Sequence, residues 1–98
     1  MTINRQKDGA TLTISPVGRL DTTSAPELQD EIANLDGVSE LIFDLASLDY
    51  LSSAGLRVFL SAQKAMNASG GRMTIRNPND VVRNVFDITG CTDIFTVV

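Results

Sequence analysis

Ninety-eight residues, 43% apolar and 20% charged with a formal net charge of −4, suffice for one hydrophobic core and argue against a disordered or fibrous chain. The negative charge disfavours nucleic acid, no apolar run nears the roughly 18 residues of a membrane span, and Met1 to Lys7 lack the apolar centre of an export signal. Without histidine and with one cysteine, Cys91, the chain has no Ser-His-Asp or Cys-His nucleophile, no histidine metal centre and no intrachain disulfide, so the expectation is one domain over residues 1–98, cytoplasmic, without metal, cofactor or enzymatic activity.

The chain opens with two runs, Ile3 to Gln6 and Thr11 to Val17, separated by Lys7-Asp8-Gly9-Ala10; Asp-Gly favours the positive φ of a tight hairpin, which predicts two antiparallel strands. In the second run Leu12 and Ile14 alternate with Thr11, Thr13 and Ser15, the period of a sheet with one buried face, and Pro16 points to an edge position or a strand end. Beyond Gly18-Arg19-Leu20-Asp21, the residues Ser24, Pro26 and Glu27 spell a helix start with a capping box. Ala25, Leu28, Ile32 and Leu35 then recur at helical spacing until Asp36-Gly37. Leu41-Ile42-Phe43 suits a central strand covered on both faces, delivering Asp44 to its C-terminal end.

From Asp44 the chain reads as a loop into a helix over Ala54 to about Ala68. Leu56, Val58, Phe59, Leu60, Ala62 and Met66 face inward there, Arg57, Ser61, Lys64 and Asn67 outward, and Ser69-Gly70-Gly71 forms the stop. Arg72 to Arg76 alternates as a strand, Asn77-Pro78 breaks it, and Asp80 to Thr89 carries Val82, Val85 and Phe86 at helical spacing before Gly90. A last strand is expected at Ile94 to Val97. The order β, β, α, β, α, β, α, β predicts an α/β fold with a mixed four- to five-stranded sheet, parallel across its right-handed crossovers, and helices packed mainly on one face.

The segment from Asp44 to Leu56 carries the functional signal. Ser52 and Ser53 stand before a helix, where unpaired N–H groups and the positive end of the dipole stabilise an oxyanion. Spacing alone favours a plain N-cap worth about 1 kcal/mol. Asp21, Asp44 and Asp49 read equally well as turn or strand-end carboxylates, and no chemistry is assigned to the last two. Gly55 is expected to permit close approach of a partner backbone or a neighbouring loop. Gly70-Gly71 lacks the following Lys-Ser or Lys-Thr of a phosphate loop, which places a small enzyme or nucleotide-binding domain well behind a binding module.

Ser52-Ser53-Ala54-Gly55-Leu56, preceded by Asp44-Leu45 and Tyr50-Leu51, resembles the signature of the STAS domain, whose stand-alone members are the anti-sigma factor antagonists. Gly18-Arg19-Leu20-Asp21 with Ala25 and Leu28, and Val82, Val85-Phe86 and Thr89-Gly90, extend the resemblance over essentially the whole chain. It implies that Ser53, two residues before the motif glycine, is phosphorylated by a serine kinase that is also the anti-sigma factor and has a histidine-kinase-like ATPase fold. It further implies that the unphosphorylated form binds this kinase and releases a sigma factor, and that a serine phosphatase resets the switch. Asp21, Ser52, Ser53, Ala54, Gly55 and Arg57 would form the partner-binding surface. The position before the modified serine is often aspartate in such proteins and here is Ser52, which becomes the alternative acceptor. A second implied role is a constitutive scaffold subunit of a transporter ATPase complex, in which the serine pair is contact surface or cap.

Overall fold

In the computed structural model, which describes residues 1–98, Gly9 takes φ 60° in a two-residue turn that pairs β1 (Thr2–Asp8) antiparallel with β2 (Thr11–Leu20). β3 (Glu40–Asp44) lies parallel to the first half of β2, and β5 (Arg72–Arg76) and β6 (Thr96–Val97) follow outward, both parallel. The sheet has six strands, because β4 (Leu48–Leu51), read from the sequence as loop, pairs with the far end of β2. Four residues without strict alternation give little strand signal. The register also shifts between Gly18 and Arg19, leaving Asp49 without an opposite residue.

Pro16 therefore lies in a central strand and not at an edge. Thr11 to Ile14 pair with β3 and Gly18 to Leu20 with β4, so Pro16 falls where β2 changes parallel neighbours and a missing N–H breaks no ladder bond on that side.

Leu12, Ile14, Leu41, Phe43, Met73 and Ile75 are buried on one face, beneath α1 (Ala25–Glu31), α2 (Ser53–Ser69) and α3 (Asp80–Thr89). Thr13, Ile42 and Thr74 sit side by side on the opposite face and are only half-buried, so Leu41-Ile42-Phe43 is covered on one face, not both. Phe59 of α2 anchors the core, edge-on to Phe43 at 4.8 Å, Phe86 at 6.3 Å and Phe95 at 6.5 Å.

α1 stops at Glu31, short of the expected end. Ile32 and Leu35 still turn toward the core, but through tighter turns that close with Val38 N–H donating to the Leu35 carbonyl and Gly37 at φ 77°. The capping box does not form either: Ser24 has helical backbone angles and its side chain caps no N–H of the helix. α2 ends at Gly70, φ 78°, as its glycines predict. The expected last strand, Ile94 to Val97, shortens to β6 at its C-terminal end: a 3-10 turn at Cys91–Asp93 precedes it, and Ile94, exposed, and Phe95, buried, lie between the two.

Candidate functional site at the start of helix α2

Pairing of β4 with β2 brings the two strand ends together: the Ser52 N–H donates to the Leu20 carbonyl at 2.9 Å. The loop holding Asp21 and the start of α2 thus form one surface. Ser52 has extended backbone angles, and its Oγ accepts from the Gly55 N–H at 3.3 Å, so it is the N-cap. Ser53 is the first helical residue and is exposed. Its hydroxyl is not needed for the cap and belongs to the first turn of a 17-residue helix that has no acid there, at the positive end of the helix dipole.

Ala54 is half-buried and Arg57, one turn on from Ser53, is exposed. Gly55 is buried. A Cβ there would lie 2.6 Å from Leu20 Cγ and 2.8 Å from Leu51 Cδ1, so the glycine serves contact between α2 and the two strand ends, not approach of a partner backbone.

Asp21 is held rigidly. Its Oδ1 accepts from the N–H groups of Thr23 at 3.0 Å and Ser24 at 3.1 Å, while the buried Ser24 hydroxyl donates to the Arg19 carbonyl at 2.7 Å and accepts from the Asp21 N–H at 2.9 Å. The Ser24 N–H foremost, with its hydroxyl, Thr23 and Arg19, and against a partial loss of hydration, keeps the Asp21 carboxyl below the usual range. Asp44 has a structural position: it accepts from the Ala46 N–H at 3.1 Å and the Asn77 amide at 3.2 Å and pairs with Arg76 at 3.4 Å. Burial pushes its carboxyl up, and Asn77, Ala46 and Arg76 together outweigh that push and hold it low.

Two features escaped the sequence. Thr22, Ala25, Pro26 and Gln29 meet Ala54, Arg57 and Val58 along a shallow groove between the starts of α1 and α2, which begins one residue after Ser53. Pro26 and Gln29 stand three apart on one helix face, a signal visible in retrospect. The guanidinium of Arg19 stacks on Tyr50, 4.2 Å from the ring centroid, across the β2–β4 pair. Only the bulged register between these strands sets Arg19 opposite Tyr50.

The sequence profile of the STAS domain matches residues 2–98. A Staphylococcus aureus protein named anti-sigma-B factor antagonist is 30% identical over 82 residues, covering 82% of this chain and 76% of that protein. The anti-sigma factor antagonist SpoIIAA in its unphosphorylated form has a similar fold, with a TM-score of 0.86 at 22% identity over 99% of this chain and 88% of that one. The Bacillus cell fate determinant SpoIIAA in its phosphorylated form gives 0.79 at 21% identity over 99% and 91%. No helix is long and apolar enough to cross a membrane. With the profile spanning nearly every residue and the fold shared throughout, the chain belongs to the STAS domain family, alongside the anti-sigma factor antagonists.

Proposed function

We propose that this chain is a cytoplasmic, non-catalytic anti-sigma factor antagonist whose binding surface is gated by phosphate on Ser53. The observation that carries this reading is the division of labour between the two serines: Ser52 caps the helix, leaving Ser53 exposed at its first turn. A phosphate there meets helix N–H groups and leaves the fold undisturbed. It adds about 1.5 to 2 negative charges to the surface formed by Asp21, Ala54 and Arg57, enough to repel an acidic partner or displace an apolar one. The names of the relatives support the antagonist role, and SpoIIAA, solved with and without phosphate, supports a phosphate switch on this fold. In this reading the unphosphorylated chain occupies a serine kinase that is also the anti-sigma factor, the sigma factor is released, and a serine phosphatase reverses the modification.

The test is to recover the chain from its native cells with phosphatases inhibited, map phosphate by mass spectrometry, and identify co-purifying proteins. Phosphate on Ser53, absent from Ser53→Ala, is expected together with an ATP-binding serine kinase. Ser53→Asp is expected to recover that kinase at least about fivefold less well, the effect of roughly 1 kcal/mol of like-charge repulsion. Phosphate confined to other residues, or equal recovery by Ser53→Asp, overturns the gate.

A further inference from the structure

The phosphate gate proposed above leaves one cation of the surface without an assigned role. Arg57 takes part in none of the three ion pairs, which join the N-terminus to Glu27, Arg5 to Glu31 and Arg76 to Asp44. It stands four residues after Ser53 on the same helix, and both are exposed. Side chains on a helix lean toward its N-terminus, so a long side chain at position 57 covers the turn that begins at Ser53. An anion one turn N-terminal to a cation is also the favourable order for such a pair.

No carboxylate lies within ion-pairing distance of the guanidinium. Across the groove, α1 and the turn before it present Thr22, Ala25, Pro26 and Gln29, none of them acidic. The first turn of α2 has no acid, and the Asp21 carboxylate is committed to the Thr23 and Ser24 N–H groups. Asp49, exposed on β4, is the remaining acid of the adjoining strand.

Resting on the phosphate gate at Ser53, we propose that Arg57 is the internal counter-ion of that phosphate: it reaches back one turn to pair with the phosphoserine, fixing the dianion over the start of α2. Phosphorylation then changes the surface twice. It adds negative charge at Ser53, and it draws the only cation lining the groove out of reach of a partner. A guanidinium suits this task because its planar donors engage two phosphate oxygens at once.

The experiment uses the full chain with phosphoserine placed at position 53 by site-specific incorporation, and follows the phosphate by phosphorus NMR across its second ionisation at low salt. In Arg57→Gln the apparent pKa of the phosphate is expected to rise by about 0.15–0.4 unit, the equivalent of one lost i, i+4 ion pair. Arg57→Lys should recover part of the shift. Raising the salt should shrink the difference between parent and Arg57→Gln. Titrations of parent and Arg57→Gln that coincide at low salt overturn the counter-ion. The unphosphorylated Arg57→Gln protein is expected to melt within about 2 °C of the parent, since an exposed substitution changes stability by less than about 0.5 kcal/mol. Because the phosphate is installed directly, this result is independent of whether cells modify Ser53, which the mapping experiment decides separately.

Discussion

Gly55 and Leu20 are packed so closely that a methyl group on the glycine would lie 2.6 Å from Leu20 Cγ, inside any real carbon contact. Both residues are buried, and Leu51 closes the other side at 2.8 Å. The contact holds the start of α2 against the ends of β2 and β4. It fixes where Ser53 stands relative to Asp21. Gly55→Ala gains about 1 kcal/mol of helix propensity and loses about 1–3 kcal/mol to overpacking. A net destabilisation of about 1 kcal/mol is expected in urea unfolding, with a lower midpoint and an unchanged slope.

Ser52 and Ser53 should separate stability from regulation. Ser52→Ala removes the acceptor of the Gly55 N–H and is expected to cost about 1 kcal/mol while phosphate still enters at Ser53. Ser53→Ala should leave stability within about 0.5 kcal/mol and abolish the modification. Thermal melts paired with mass spectrometry on both variants check the division. An equal loss of stability in the two would contradict it.

Asn79 ties α3 to β4. Its Oδ1 accepts from the Val82 N–H at 2.8 Å as N-cap, and its Nδ2 donates to the Leu48 carbonyl at 3.0 Å. Asn79→Ala loses both bonds and should cost about 1–3 kcal/mol. Asn79→Asp keeps the cap and loses only the donor, so its unfolding midpoint should fall between those of Asn79→Ala and the parent.

The acid limb of stability follows from Asp21 and Asp44. Their carboxyls are held below 3.8 in the folded chain, so the stabilisation they contribute is fully present above that value and is lost as pH falls through the lower folded value. Asp44→Asn should therefore be less stable than the parent near neutral pH, with the gap narrowing as the solution is acidified below 3.8. Urea midpoints measured from pH 6 downward test this. A gap that widens on acidification would show that the Asn77, Ala46 and Arg76 contacts do not favour the charged form.

Much of the fold is legible because its signals are local. Alternation of Leu12 and Ile14 with threonines reports a one-sided sheet, Gly9 marks the hairpin, and Leu56, Phe59, Ala62 and Met66 mark the buried stripe of α2. β4 was not legible: its four residues gain strand character only from a bulged pairing with β2 some thirty positions earlier in the chain. Ser24 misled in the same way, since its hydroxyl serves the Arg19 carbonyl and the Asp21 N–H and no helix N–H. At the site, the serine pair at a helix start was legible in Ser52-Ser53-Ala54-Gly55-Leu56, and the exposure of Arg57 in the polar stripe that follows. The reason for Gly55 could not, because the obstruction comes from Leu20 and Leu51.

The order of amino acids alone thus determined the periodicities, turns and stops, and with them a helix entrance carrying two hydroxyls, since these follow from backbone sterics and the burial of neighbouring side chains. Tertiary structure decided what surrounds that entrance: the Asp21 loop tied in through Leu20 and Ser52, α1 across the groove from Arg57, and Tyr50 under Arg19. These relationships join residues far apart in the chain, and only the pairing of β2 with β4 and the packing of helices on one sheet face bring them within reach of one another.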